Sequence, residues 1–462
     1  MYYLGRIKIY SLLVIVAICI CEAFLNRAFT LFNDLEIALL SYTSLVLICL
    51  SVWCIFLLFV TFELGDLPLV GLFFLAMLAY PSSPAFAWRE PEVFTLLAGA
   101  IVGRGARLLL QKGIGRSHTM TISRTCSEVD LKGTQLANFL YLFLGLLLFS
   151  SCWQFKISNY YHGARWMGLW DNPNIYGMLM SAGLVLAVGL VAADRKKMED
   201  GGWRMAKTGC QKIVIGSSRR LLRMFLLVAA GMTGLGLVCS YSRGAWLGTT
   251  VGLLYLARAY GKFKWRWMLP GIIVVVAVVW FFWNATPDTA PWYMKRLDLG
   301  RPSAQHRVAA WYGALRMMRD HPFGVGWNNA VTVYEKCYSP PDGGAAAITT
   351  NDYLMLGTQL GVPGLVCFVA YLGLAFRRNH LHVAVKSGTS GGIPGELAGE
   401  TPALRCACRA GALAMLVAFW FDGGLFELAT AAVFWILLEL GTSDTASVPN
   451  SIPQIESPVG TC

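Results

Sequence analysis

The chain has 462 residues, 56% of them hydrophobic and only 14% charged, and its mean hydropathy is +0.55. Soluble chains carry about 25% charged residues, so a soluble globular enzyme, a disordered protein and a fibrous protein are excluded, and a bilayer is the expected solvent. The net charge of +12 does not point to nucleic acid, because Lys and Arg fall between apolar runs, where they act as topology signals.

A helix needs about 20 apolar residues to cross the hydrocarbon core. Runs that reach or approach that length lie at 8–26, 35–61, 66–81, 91–110, 134–153, 174–193, 221–240, 244–260, 267–284, 352–376, 410–422 and 424–441. The first lacks a small-residue cleavage site and is read as a permanent helix, not a signal peptide. The expectation is an all-α polytopic integral membrane protein with about 12 transmembrane helices. Arg6 and Lys8 place the N-terminus in the cytoplasm. The loops 111–133, 194–220, 261–266 and 377–409 are all basic, with Arg195, Lys196 and Lys197 opening the second and Arg405 and Arg409 closing the last. Positive loops mark the cytoplasmic side, so both termini are expected there. Most of the 13 cysteines lie inside apolar runs, where Cys acts as a small hydrophobe. Cys406 and Cys408 fall in a basic loop, and no metal-ligand spacing accompanies them.

One loop on the far side, 285–351, is much longer than the others. Its stretch 303–319 is predicted as an amphipathic helix, with Val308, Trp311, Leu315 and Met318 three or four apart. His321-Pro322 ends it and Phe323 to Gly326 forms a turn. A second far-side loop, 153–173, is rich in Tyr, Trp and Arg. No internal repeat is visible.

Four segments could carry chemistry. In Tyr241-Ser242-Arg243-Gly244, an arginine stands near membrane depth with no acidic neighbour in sequence. A charge there is costly and marks a function by default, although a snorkelling anchor would look the same. In the second, Arg307 and Trp311 lie four apart, on one helix face. The guanidinium fork suits a diphosphate, and a solvated basic face is the bland reading. The third, Thr349-Thr350-Asn351-Asp352-Tyr353, reads equally as a helix cap or as a polar substrate mouth. The fourth, Asp171-Asn172-Pro173-Asn174, is a turn and N-cap signature with a possible binding role for Asn174. His306 and His321 lie in the long far-side loop, and neither has metal-ligand spacing.

In this order, the stretches DNPNIYG, SRGAWLG, HRVAAWYGALRMMRDHPFGVGWNN and TNDYLMLGTQLGVPG resemble the O-antigen ligase and O-antigen polymerase superfamily of bacterial envelopes, over roughly residues 165–376. Four parts are expected: N-terminal transmembrane helices over 1–165 and C-terminal helices over 377–441 from hydropathy, a disordered cytoplasmic tail over 442–462 from its Ser, Pro and Thr content, and, as the resemblance implies, a ligase-like core over 166–376 with its loop at 285–351. The resemblance also implies a glycosyltransferase of the bacterial inner membrane whose active site faces the periplasm. The glycan moves from an undecaprenyl diphosphate carrier to an acceptor hydroxyl on lipid A core, a glycan or a protein, with no cofactor and no metal. Arg243 and Arg307 would bind the diphosphate and Asp352 would assist catalysis. Ser242, Trp311, Thr350, Asn351, Tyr353, Asn174, His306 and His321 would line the substrate. The family places His where this chain has Thr350, and Thr has no useful basicity near neutral pH. Asp352, His306 or His321 could replace it, or the protein could bind lipid-linked glycan without transferring it. A solute transporter is the reading from another class.

Overall fold

A computed structural model describes residues 66–79, 91–112, 125–154, 165–170, 172–199, 209–260, 302–327, 329–339, 351–386 and 400–442. Among them the regular elements are all helical: α1 Leu67–Leu78, α2 Pro91–Lys112, α3 Thr125–Gln154, α4 Pro173–Glu199, α5 Gly209–Ser240, α6 Arg243–Ala259, α7 Pro302–Asp320, α8 Asn329–Cys337, α9 Asp352–Lys386, α10 Glu400–Ala418 and α11 Leu428–Thr442. The expected spans 8–26, 35–61 and 267–284, the residues beyond 442, Thr350 and the side chain of His306 lie outside the described residues. Among the described residues, 3 helices are long and apolar enough to cross a membrane: residues 173–194 of α4, 221–240 of α5 and 352–377 of α9.

α4 is the central helix. It packs against α5, α6 and α10, and Tyr176, Met178, Met180, Ala182, Val185 and Ala187 on it are fully buried. α5 is equally apolar but leaves Leu221, Met224, Leu227 and Val228 exposed at spacings of three and one. A helix apolar all round must be covered by protein or lipid, so this face suits acyl chains.

Small residues set the closest approaches. Gly244, Gly248 and Gly252 recur every fourth position on α6, and a Cβ on Gly248 would stand 2.2 Å from the Ala414 carbonyl oxygen of α10. Apolar side chains gain nothing by leaving lipid, so such backbone contact is what holds helices together in a bilayer. Gly248→Ala is therefore expected to destabilise the detergent-purified protein by roughly 1–3 kcal/mol, seen as a lower thermal midpoint. Gly231→Ala, whose Cβ would meet nothing within 4 Å, is expected to leave the midpoint unchanged or raise it.

α9 is broken in its middle. Gly361 takes φ 76 and ψ 179, and Pro363 follows. The turn after α7 fills this break. Val325 N–H donates to Thr358 O at 3.0 Å, Gly326 N–H donates to Gln359 O at 3.1 Å, and Val362 N–H donates to Pro322 O at 2.8 Å. Freed backbone groups in a membrane protein must find protein partners, and here two segments supply each other. α7 lies along the first half of α9, with Ala310, Ala314, Met317 and Met318 packed among Leu354 and Met355. The far ends of α7 and α8 are tied by Tyr338 Oη donating to Asp320 Oδ2 at 3.1 Å. The Arg319 and Tyr338 hydrogen bonds hold the Asp320 carboxyl below the usual range. This exposed tie is thus complete above the ordinary carboxylate range and is lost as pH falls through the lowered value.

The C-terminal part needs correction. The run read as a span over 410–422 belongs to α10, which starts at Glu400 and stops at Ala418. Cys406 and Cys408 lie on this helix, with Cys408 fully buried, and not in a basic loop. Arg409 is also helical: its Nε donates to Gly441 O at 2.8 Å and so satisfies a carbonyl at the end of α11, as a cation there should. Residues 419–427 form a turn between α10 and α11. At the opposite end of the bundle, Asp66, Arg104, Arg107, Glu439 and Tyr371 are buried together.

Candidate functional site

The starts of α4, α6 and α9 meet the ends of α5 and α10 at one end of the bundle. The turn from α5 to α6 is tight. Tyr241 adopts φ 51, the sole positive φ on a non-glycine among the described residues, a strained state that sites tolerate when packing fixes it. Ser242 is the N-cap of α6: its Oγ accepts from Ala245 N–H at 3.2 Å and donates to Asp422 Oδ2 at 2.5 Å. The helix N-terminus already carries partial positive charge, and Arg243 as its first residue adds a full one, with no acid in the first turn. A site of that polarity is suited to anions. Asp422, from the turn 419–427, is the carboxylate beside it. A Cβ on Gly244 would lie 2.6 Å from Asp422 Oδ2, so glycine is what admits the carboxylate.

Arg307 arrives from α7. Its Nη1 donates to Phe421 O at 2.6 Å, and its Nη2 stands 3.8 Å from Asp422 Oδ1. The segments bearing Arg243 and Arg307 therefore converge on one carboxylate, Asp422. The expectation that the Arg243 segment has no acidic neighbour holds only along the chain; in space Asp422 stands beside Ser242 and Gly244. Trp311, one turn on from Arg307, packs its ring 6.2 Å from Phe421 and 6.1 Å from Trp420.

Asn351 and Asp352 open α9. Asn351 Oδ1 accepts from Tyr353 N–H and Leu354 N–H, both at 3.1 Å, which is the capping role of that residue type. Asp352 Oδ2 accepts from Gly424 N–H at 2.6 Å and Leu425 N–H at 2.8 Å, so its carboxylate anchors the turn that holds Asp422. Tyr353 Oη donates to Leu416 O at 2.8 Å, fixing α9 to α10. Asn174 joins the same end of the bundle: its Oδ1 accepts from Arg165 Nη2 at 2.5 Å, while Arg165 Nε donates to Ser240 O at 2.7 Å. Arg165 thus staples α4 to the end of α5.

His321 is not brought here. It caps the other end of α7 through its N–H to Met317 O, 14 residues from Arg307 by number and about 21 Å along a helix axis. Sequence reading passed over Asp422, Trp420 and Arg165 as site residues. The Asp422-Gly423-Gly424 run between apolar stretches was the available signal, since Asp-Gly and Gly-Gly mark turns. Among the described residues, no group of three His, Cys, Asp or Glu side chains is placed to hold a metal ion.

Residues 225–369 match the model of the O-antigen ligase family. That stretch runs from within α5 through α6, α7 and α8 into α9, and it holds Arg243, Arg307 and Asp352. No curated protein matches the chain.

Proposed function

We propose that this chain, whose residues 225–369 match the O-antigen ligase family, transfers a glycan from undecaprenyl diphosphate to an acceptor hydroxyl at the outer face of the bacterial inner membrane. The observation that supports this reading is the meeting of the Ser242–Arg243 helix start and Arg307 at Asp422. In the reaction the acceptor oxygen attacks the anomeric carbon, the bond from that carbon to the diphosphate oxygen breaks, and the lipid diphosphate leaves with added negative charge. Arg243, Arg307 and the α6 N-terminus stabilise that charge, which is the main electrostatic demand of the step. Asp422 is the resident counter-anion of Arg307. When the diphosphate takes its place beside Arg307, the Asp422 carboxylate is released to receive the acceptor proton. Asp352 is a positioning residue in this scheme, because its Oδ2 is committed to two backbone N–H groups. Ser242 orients Asp422; Trp311, Asn351 and Tyr353 line the side of the site that receives the donor glycan, and Arg165 with Asn174 holds α4 to the end of α5 beside Ser242.

The test is turnover of purified protein with an undecaprenyl diphosphate glycan and candidate acceptors. Arg307→Ala and Arg243→Ala are each expected to lower turnover by about 10²–10³-fold, and the Lys variants less, because they keep charge but lose the fork. Asp422→Asn should bind donor but lose transfer. Unchanged product formation in both alanine variants would end the arginine reading. Solute uptake into proteoliposomes without any transfer would favour a transporter instead.

A further inference from the structure

Trp420 is 42% exposed, although it sits at the centre of an aromatic group. Its ring lies 5.4 Å from that of Tyr353 at 41° and 6.1 Å from that of Trp311 at 74°. Both neighbours are themselves fixed. Tyr353 is held by its bond to Leu416 O and packs 6.1 Å from Phe368, and Trp311 rests on Phe421. The indole is thus presented in one orientation and loses little freedom when something stacks on it. It is also close to the Arg307 cation: the next residue's carbonyl, Phe421 O, is the acceptor of Arg307 Nη1.

Two observations say what would stack there. Trp311 Nε1 and Asn351 Nδ2 are buried donors with no hydrogen-bond acceptor. Buried donors are almost always satisfied, and an exception in a native site calls for a partner. A polyprenyl chain offers no acceptor; a sugar ring offers several, together with an apolar C–H face that fits an aromatic surface. Binding sites for such ligands combine apolar walls with a few placed polar groups.

We infer that Trp420, braced by Tyr353 and Trp311, is the platform for the sugar ring attached to the diphosphate, and that it makes the site select glycan-bearing over bare polyprenyl diphosphate. This rests on the transferase reading above. The first sugar lies one glycosidic oxygen from the diphosphate, so a donor held by Arg307 carries its ring into the neighbourhood of the indole.

The experiment measures binding of two probes to the full-length protein in nanodiscs: undecaprenyl diphosphate N-acetylglucosamine and undecaprenyl diphosphate. Trp420→Ala and Trp420→Leu are expected to weaken binding of the sugar-bearing probe by about tenfold and to leave the bare probe within about twofold, with Trp420→Phe close to wild type. Leu keeps apolar bulk without a π face, so a lipid contact would tolerate it and a platform would not. Equal loss on both probes, or no loss on either, would overturn the platform while leaving the transferase reading intact. Wild-type protein that binds neither probe would overturn both.

Discussion

Glu439→Gln is expected to destabilise the bundle by about 3–5 kcal/mol. Glu439 Oε2 lies 3.4 Å from both Arg104 Nη1 and Arg107 Nη1, Tyr371 donates to its other oxygen, and Arg104 also pairs with Asp66. All five side chains are buried. They come from the start of α1, from α2, α9 and α11, so one polar knot joins four helices. Removing the Glu439 charge takes away the carboxylate that both Arg104 and Arg107 face in a place where water cannot compensate, and breaking a buried pair on one side costs far more than the intact pair contributes. The decisive comparison is the double variant Arg107→Gln, Glu439→Gln. It restores charge balance and should recover part of the thermal midpoint of the purified protein. If the double variant were as unstable as the two single losses added together, the knot would be acting through packing and not through charge.

Much of the bundle was legible because bilayer solvent imposes a coarse code. Apolar runs and basic interruptions predicted α2 and α6 to within two residues, 91–110 against Pro91–Lys112 and 244–260 against Arg243–Ala259, and found the apolar part of α4, 174–193, while missing its extension to Glu199. The amphipathic spacing of 303–319 predicted α7, Pro302–Asp320. The same code misplaced α10, because Arg405 and Arg409 look like loop charges until the α11 carbonyl that Arg409 caps is known. The site was half legible. Arg243 and Arg307 stand out as isolated cations along the chain. Asp422 did not, because its meaning depends on Ser242, 180 positions away, and on Arg307, whose bond to the adjacent carbonyl spans 114 positions. Asp352 was conspicuous as a candidate base beside Thr350. What the sequence could not show is that two N–H groups of the 423–425 turn already occupy one of its oxygens.

Gly361→Ala should detach the arm that carries Arg307. At φ 76 any L side chain is strained by about 1–2 kcal/mol. Its Cβ would also stand 2.4 Å from Pro322 O and 2.6 Å from Gly324 N, both backbone atoms with no rotamer to escape into. Relief requires the 322–326 turn to withdraw from the break in α9, and with it go the three backbone bonds that fill the break. At about 1 kcal/mol each, these losses and the strain together come to about 4–5 kcal/mol of arm docking. Gly324→Ala attacks the same joint from the other side, since its Cβ would lie 2.3 Å from Gln359 O at φ +83, and it should give the same phenotype. The apolar contacts of α7 with Leu354 and Met355 and the Arg307 bond to Phe421 O oppose release, so the expected outcome is a loosened arm and not an unfolded bundle. Limited proteolysis should cut both variants between α7 and α8 while α4, α6 and α10 stay protected, and turnover should fall with the cutting rate. Wild-type protease resistance in Gly361→Ala would show that α7 is held by its side-chain contacts alone and that the inserted turn merely satisfies the broken helix.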